Sequence, residues 1–281
     1  VKRYEEAHRF WWRRLLQEVT NIIPSLTVNQ QANVYLSMHR DSKATIDFYI
    51  MIVLASAIAY FGLLQGSPAV IIGGMLVAPL MSPMMAMAHG IAQGNLLMFR
   101  QASGSTVRGI LLSIGISTIF TLLINNTAPL TTEILSRTQP NVLDMLVALV
   151  SGAAAAYALS REDVAAALPG VAIAAALVPP LCVIGYGLGA ARFDIAGGAT
   201  LLFLTNLASI ILAGAAIFLL LGFRPTRAER VDQVRRSLVF AVIALVVIGI
   251  PLTIASVQSI QRERRQAIVQ TILDQEVSPE T

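Results

Sequence analysis

Two polar side chains inside long apolar stretches are the first candidates for chemistry in this sequence. His89 is the one ionisable side chain well inside an apolar run, which makes it a candidate titratable group. Asn206 is a carboxamide deep inside another apolar run, with Thr205 and Ser209 beside it. This amide could coordinate a substrate or form a hydrogen bond to a neighbouring helix, and the second role is the commoner one.

Prolines in the middle of apolar stretches are the second candidate feature. Pro79 and Pro83 lie on either side of Ser82 in one stretch, and Pro179 and Pro180 are adjacent in another. Proline lacks a backbone donor and its ring clashes with the carbonyl one turn earlier, so each pair predicts a kinked or interrupted helix. Carbonyls freed in this way could line a path for a solute or ion, whereas simple packing kinks are the alternative.

The predicted breaks lie at about 77–84 and 177–183, facing each other across the molecule. We expect Ser82 and Asn206 to lie within reach of the gap between them. The residues predicted to line a substrate or ion path are Pro79, Ser82, Pro83, Pro179, Pro180 and Asn206.

Motifs of enzymes and of metal or nucleic-acid binding are absent from this sequence. It contains no His-Glu-x-x-His, no Gly-x-Ser-x-Gly and no phosphate-binding Gly-Lys-Ser/Thr loop. Three scattered histidines and the single Cys182 form no metal-binding cluster. The net charge of +4 comes from Lys and Arg residues that cluster beside apolar stretches, as in proteins oriented by a bilayer. We therefore predict no catalysis, no metal, no cofactor and no nucleic-acid partner.

The elements that must position these residues are membrane spans. Only 13% of the 281 residues are charged and 56% are hydrophobic, which excludes an ordinary water-soluble domain. A helix of about 20 apolar residues crosses the hydrocarbon layer, and the apolar stretches lack the alternation of a barrel strand. Seven stretches predict transmembrane helices, at about 46–65, 69–93, 107–125, 142–160, 164–189, 199–222 and 237–256.

The distribution of positive charge predicts the orientation of these spans. With the N-terminus in the cytoplasm, 15 of the 20 Lys and Arg residues fall in cytoplasmic segments and 5 in external ones. We expect a multi-pass protein of the bacterial inner membrane, with a cytoplasmic N-terminus and an external C-terminus.

The two flanks are predicted to be helical. Residues 1–45 form the cytoplasmic flank, and within it 1–24 read as an amphipathic helix with apolar residues on one face and arginines on another. Such a helix lies on an anionic membrane surface or packs on a soluble domain. Residues 257–281 form a helical tail, which together with the last span is the predicted contact of a homo-oligomer.

A repeated motif divides the transmembrane domain, residues 46–256, into two halves. Leu-Val-x-Pro-Leu occurs at 76–80 and again at 177–181, an offset of 101 residues. Shorter matches pair the first span with the fourth and the third with the sixth. Because each copy has three spans, the second copy enters from the opposite side, which predicts inverted repeats at about 46–125 and 142–222 plus a seventh helix. The predicted fold class is therefore an all-α polytopic membrane protein.

Three motifs of this chain resemble a bacterial family of hydrophobic membrane proteins, the "domain of unknown function 389". They are the runs IIGGMLVAPLMSP at 71–83, ALVPPL at 176–181 and LLFLTNL at 201–207. The similarity covers about residues 45–222. It implies a membrane fold and carries no activity.

The physical features predict a transporter or channel for a small solute or ion, with its path between the second and fifth spans. Inverted repeats with interrupted helices are typical of secondary transporters. The first alternative is a structural membrane scaffold that holds soluble partners through its basic flanks. A more distant alternative is a lipid-modifying enzyme with an unfamiliar site.

Overall fold

A computed structural model describes residues 26–124, 129–161, 164 and 167–223. All regular secondary structure among these residues is helical, with no strand, and the predicted all-α class is confirmed. The helices of the described segments, in chain order, are α1 (Val28–Asp41), α2 (Ile46–Gln65), α3 (Pro68–Val77), α4 (Met81–Gln93), α5 (Leu96–Leu123), α6 (Thr132–Ser136), α7 (Val142–Leu159), α8 (Ala167–Gly189) and α9 (Phe193–Leu220).

Five of these helices are long and apolar enough to cross a membrane. They are α2, α5, α7, α8 and α9, with mean hydropathy from 1.7 to 2.2 over their most apolar windows. The pair α3 and α4 meets the same test as one span that is bent by 58°. Large apolar side chains such as Leu111, Val150 and Leu122 are exposed on the outside of the bundle, where they suit lipid. The chain is a multi-pass membrane protein.

The bent pair crosses the bundle and does not fold back to the side from which it started. Its first residues adjoin the end of α2, where Ser67 N donates to Gly62 O. Its last turns lie near α1, which precedes α2, and there the His89 ring is 6.1 Å from that of Tyr35. The pair therefore runs antiparallel to the whole of α2, which gives six crossings in the described residues.

Helix starts and stops follow from local capping. Thr45 begins α2 by accepting a hydrogen bond from Phe48 N, and Asn141 begins α7 with a reciprocal pair of bonds to Asp144. Gly66 ends α2 in the left-handed conformation, with φ of 60°. These devices explain why the predicted boundaries at 46–65 and 142–160 are close to the observed ones.

The linkers before α5 and α9 have the same geometry, at an offset of 97 residues. Asn95 and Arg192 are the N-caps, with φ, ψ of −88°, 86° and −98°, 79°. Their backbone N–H groups donate to Gly90 O and Gly187 O respectively. Measured from these caps, Pro83 and Pro180 occupy equivalent positions, twelve residues upstream, whereas the repeated motif of the sequence pairs Pro79 with Pro180. The inverted relation of the two halves stays a prediction.

Several sequence predictions fall on other parts of the chain. The amphipathic helix at 1–24, the span at 237–256 and the tail at 257–281 lie outside the described residues. Within the described ones, α5 and α9 begin earlier than predicted, since the predicted spans left out the charged and polar residues that follow the start of each helix. The sequence did not predict α1 and α6 as separate helices.

Candidate functional site

The break between α3 and α4 is at residues 78–80. Ala78 adopts an extended conformation, with φ −73° and ψ 121°, because the ring of Pro79 disfavours the helical region for the residue before it. Helix α3 ends at Val77, and α4 begins at Met81 without a side-chain cap. Ala78 N still donates to Met75 O over 3.3 Å, which closes a tight turn. The predicted interruption at 77–84 is confirmed.

The second proline in this region follows the break and does not add to it. Pro83 is the third residue of α4, where a backbone N–H would have no partner within the helix in any case. Pro83 is buried, while Pro79 and Ser82 are half-buried. Of the two prolines, Pro79 stands at the break, and Pro83 fits the first turn of the next helix.

Apolar side chains from three helices surround the break. Leu80 is buried and lies against Gly109 of α5, where an added Cβ would be 3.7 Å from Leu80 Cδ2. The Phe48 ring of α2 covers the same glycine at 3.2 Å from that Cβ position. On the other side, Met81 Sδ lies 3.0 Å from the Cβ position of Gly170 in α8. The break therefore touches α2, α5 and α8.

The predicted second break, at 177–183, is wrong. Helix α8 is continuous from Ala167 to Gly189 and contains both Pro179 and Pro180, which are buried. Pro180 cannot donate to Ala176 O, so a neighbouring helix does: Asn206 Nδ2 donates to this carbonyl over 2.9 Å. A tertiary hydrogen bond replaces one of the two backbone bonds that the prolines remove, and α8 stays continuous.

Asn206 therefore performs the commoner of its two expected roles, a hydrogen bond between helices. Its side chain is 3% exposed, and its Nδ2 group is committed to α8. Its Oδ1 atom is buried and has no hydrogen-bond partner among the described residues. Only this carbonyl oxygen is left for a ligand.

His89 lies in an apolar, aromatic environment. The side chain is fully buried and neither ring nitrogen has a hydrogen-bond partner among the described residues. The ring centroids of Phe218 and Phe223 are 5.1 Å and 4.8 Å away, both edge-on, and Tyr35 of α1 closes a third side. The imidazole therefore packs as an aromatic side chain where α1, α4 and the end of α9 meet.

A column of hydroxyl groups on α5 was missed by the sequence reasoning. Its members recur at intervals of four residues, with Gly109 at the one position without a hydroxyl, so neighbouring members adjoin along a ridge that winds gradually around the helix. We call this set the hydroxyl stripe: Ser105, Ser113, Ser117 and Thr121. All four side chains are buried, with at most 4% exposure. Three of the four lie within the predicted span at 107–125, so their spacing was visible in the sequence, but the partners of these hydroxyls were not.

The stripe faces α2 and α8. Ser56 Oγ donates to Ser113 Oγ over 2.8 Å, and Tyr60 OH lies 2.8 Å from Thr121 Oγ1. Since Thr121 donates its own proton to the Ser117 carbonyl, Tyr60 is the donor in this pair.

From α8, Cys182 Sγ donates to Ser56 O over 3.6 Å. The same helix approaches the stripe closely, since a Cβ on Gly185 would lie 2.5 Å from Ser117 Cβ. The Ser117 side chain is fully buried at this contact, beside the Cys182 thiol.

The predicted lining residues thus belong to two different environments. Pro79, Ser82 and Pro83 lie at a true break between α3 and α4. Pro179 and Pro180 lie inside an intact helix, supported by Asn206 of α9. No groups of three or more His, Cys, Asp or Glu residues that could hold a metal occur in the described part of the chain.

Comparison with known proteins relates the central part of the chain to one family. Residues 75–212 match the family described as "Domain of unknown function (DUF389)", which covers the break, the two prolines of α8 and the hydroxyl stripe. An uncharacterised protein of Methanocaldococcus jannaschii is 26% identical over 204 residues, which are 72% of this chain and 62% of that protein. No solved structure matches the chain.

The relative is archaeal, and the bacterial qualifier of the expected family is not confirmed. The aligned segment spans less than two thirds of that protein, so its remaining part has no counterpart in the alignment. The three motifs that carried the resemblance fall within or overlap the matched residues. Residues 75–212 thus match the domain family of unknown function DUF389, and the resemblance expected from the three motifs is confirmed.

Proposed function

We propose that this protein is a transporter or channel that moves a small solute or ion across the bilayer, along a path that adjoins the broken span. The observation that supports it is the 58° bend at residues 78–80 in the middle of an otherwise complete bundle of six crossings. Interrupted helices at membrane depth are characteristic of substrate sites in transporters.

The energetic argument for a path is that a break is expensive in hydrocarbon. Backbone groups that leave the helix need protein or water as partners, because lipid offers none. Here Ala78 N retains a bond to Met75 O, while Pro79 and Ser82 are only half-buried. A span that needed only to hold the bundle together would be more stable as a continuous helix.

The proposed path differs from the path predicted from the sequence on the side of α8. Because α8 is continuous, the path does not run between two matched breaks. The break at 78–80 supplies the irregular backbone, and α8 supplies a rigid wall. Asn206 contributes its unpaired Oδ1, since its amide nitrogen holds Ala176 O.

The test is a flux screen of the purified protein in liposomes. The solutes are Na⁺, K⁺, Cl⁻ and small uncharged polar molecules. Pro79→Ala removes the ring that separates α3 from α4 and should lower flux about tenfold or more, because a proline contributes about 3 kcal/mol against a straight helix. Pro180→Ala is the matched control, since α8 is already continuous, and it should leave most of the flux unchanged.

Equal flux from the wild-type protein and from empty liposomes, for every solute, would overturn the proposal. In that case the scaffold hypothesis would lead. Equal losses in the Pro79→Ala and Pro180→Ala variants would show that the break has no special part in transport.

We also propose that the protein resides in the inner membrane with a cytoplasmic N-terminus and forms a homo-oligomer. The six described crossings place residue 223 on the same side as α1, so a seventh span would place the C-terminus outside. Cysteines introduced at Gln30, Leu130 and Gln275 test this with an impermeant reagent on intact cells. If the reagent labels Leu130→Cys and Gln275→Cys but not Gln30→Cys, the orientation is supported. Labelling of Gln30→Cys contradicts it.

A further inference from the structure

We propose that the outer face of α5 carries a binding site for an acidic phospholipid, formed by Arg100, Gly104 and Arg108, with the headgroup phosphate over Gly104. The site is separate from the path of the proposed transport function and does not depend on it. The phosphate diester of such a lipid carries a negative charge that guanidinium groups bind through charge-assisted hydrogen bonds.

The three residues of the site share one face of α5, and that face is exposed. They are spaced four residues apart, so at 3.6 residues per turn they lie within about 80° of one another around the helix. Both arginines are exposed. The same face carries large apolar side chains with exposures of 63%, 51% and 63%, those of Leu97, Val107 and Leu111. A face that combines exposed arginines with exposed apolar side chains suits the boundary between headgroups and hydrocarbon.

The depth of this face in the membrane follows from the neighbouring helix α2. Ser105 Oγ accepts a hydrogen bond from Ala44 N, two residues before α2 begins at Ile46. Helix α2 has 20 residues, and about 30 Å of helix matches the thickness of the hydrocarbon layer, so its first residue lies near the boundary. Gly104, next to Ser105, therefore lies where the headgroups begin.

The two arginines lie on opposite sides of that boundary. At 1.5 Å per residue, Arg100 is about 6 Å outside the level of Gly104 and Arg108 is about 6 Å inside it. A guanidinium in hydrocarbon is unfavourable, so the Arg108 side chain extends towards the headgroups. Side chains of a helix also lean towards its N-terminus, and the N-terminus of α5 is at this end of the bundle. Both effects bring the Arg108 guanidinium to the level of Gly104.

Gly104 leaves open space between the arginines. A Cβ at this position would meet no atom within 4 Å. The ion pairs among the described residues involve Arg40, Arg137 and Arg192, and neither arginine of the site takes part in one. Their positive charge is therefore not balanced by a carboxylate of the described structure, and it favours an anionic headgroup over a zwitterionic one.

The apolar continuation of the face favours a phospholipid over a free phosphate ion. Val107 and Leu111 extend the face from Gly104 towards the centre of the bilayer, where they can contact an acyl chain. Gly115, one turn beyond Leu111, is also open, since a Cβ there would meet no atom within 4 Å. Headgroup and chain would thus contact one continuous surface of α5.

The first experiment measures which phospholipid the full-length protein retains in detergent. Dioleoyl phosphatidylglycerol and dioleoyl phosphatidylcholine are added in equal amounts, and the bound lipids are identified by native mass spectrometry. The wild type should prefer phosphatidylglycerol. Each basic side chain at a membrane surface raises the affinity for acidic lipid about fivefold, so the double variant Arg100→Gln, Arg108→Gln should lower this preference at least about tenfold.

The matched control removes the same charge elsewhere. Arg40 and Arg192 are exposed arginines that pair with Asp41 and Asp194. The double variant Arg40→Gln, Arg192→Gln should keep the wild-type preference. An equal loss in the two double variants would show attraction by net charge alone and would overturn the site, as would an unchanged preference in the Arg100→Gln, Arg108→Gln variant.

The second experiment fills the open space without a change of charge. Gly104→Leu should lower phosphatidylglycerol retention several-fold, because its side chain occupies the place of the phosphate. Gly197→Leu on α9 is the matched control, since a Cβ at Gly197 also meets no atom within 4 Å, and it should retain lipid as the wild type does. Equal retention by the two glycine variants would overturn the placement over Gly104. Loss of oligomeric masses in the arginine variant without added lipid would assign this face to a second copy of the chain and would also overturn the site.

Discussion

Pro79 and Pro180 present the same two defects to a helix, a missing N–H and a bulky ring, yet α3 ends before Pro79 while α8 continues through Pro180. The difference lies in how each orphaned carbonyl is satisfied. The carbonyl one turn before Pro79 is that of Met75, which accepts a hydrogen bond from Ala78 N, three residues further along the same segment. The carbonyl one turn before Pro180 is that of Ala176, which accepts from Asn206 on another helix.

At Pro79 the hydrogen bond comes from the same segment and the chain bends. At Pro180 it comes from another helix and α8 stays continuous. At the break, the residue of α5 beside Leu80 is Gly109, which has no side chain that could donate a hydrogen bond. Helix α9 presents Asn206 at the corresponding place beside α8. Proline content alone therefore does not decide where a membrane helix breaks; the neighbouring helix does.

The largest expected effect comes from disturbing the packing of α3, the first helix of the broken span, against α2. Helix α3 has ten residues, too few to be stable alone, and it depends on close packing against α2. Gly74→Ala would place a Cβ 2.8 Å from Ala59 N and 2.9 Å from Ala55 O. We expect a loss of about 3 kcal/mol in the free energy of unfolding, since backbone atoms must move apart.

The adjacent glycine provides a matched control for this prediction. A Cβ at Gly73 meets no atom within 4 Å, so Gly73→Ala should be neutral or up to about 1 kcal/mol stabilising. The measurement is the loss of the monodisperse peak in size-exclusion chromatography after heating in detergent. Similar midpoints for the two variants would show that α3 does not rely on this contact.

The second prediction tests the hydrogen bond from Asn206 to the Ala176 carbonyl through a double-mutant cycle. Asn206→Leu leaves the Ala176 carbonyl buried without a partner and should destabilise the protein by about 1–2 kcal/mol. Pro180→Ala restores a backbone N–H that can donate to this carbonyl. In the Pro180→Ala background, Asn206→Leu should therefore be nearly neutral, as measured by thermal unfolding in detergent. Additive effects would mean that Asn206 stabilises something other than this carbonyl.

The sequence was sufficient for features that depend on neighbours in the chain. Apolar length predicted the six described spans, and the step from Ala78 to Pro79 predicted the break. It was insufficient for α8, because the partner of Ala176 is 30 residues away and its register on α9 depends on the linker at Arg192. The hydroxyl stripe showed its spacing in the sequence, but Ser56 and Cys182 join it only through packing of three helices.

The third prediction concerns the shape of the broken span. Helices α3 and α4 are about 15 Å and 20 Å long, so straightening the 58° bend would lengthen the span by about 4 Å. Pro79→Ala should produce this change between spin labels at Val70 and Ile91, as measured by pulsed electron paramagnetic resonance. Labels at Val171 and Leu188 in α8 should keep their separation in the Pro180→Ala variant. An unchanged distance across α3 and α4 would show that neighbouring helices, and not Pro79, impose the bend.

The smallest expected effect is at His89, which lies on the half of the broken span beyond the bend. Its imidazole is enclosed by Phe218, Phe223 and Tyr35, and neither nitrogen has a hydrogen-bond partner in the described structure. Replacing an unpaired buried polar group by an apolar one of similar size is close to neutral, because no hydrogen bond is lost. His89→Leu should therefore change the free energy of unfolding by less than about 1 kcal/mol and leave ion flux intact.

The measurement for His89 combines the thermal midpoint with liposome flux in the same preparation. A packing role predicts that both stay near the wild-type values, since Leu fills most of the volume between the aromatic rings. A midpoint that is unchanged while flux falls would instead mean that the imidazole exchanges protons during transport. That result would place a titratable group of the transport path on the half of the broken span beyond the bend. Helix α8 offers no equivalent group, because no carboxylate, histidine or basic side chain occurs between Ala167 and Gly189.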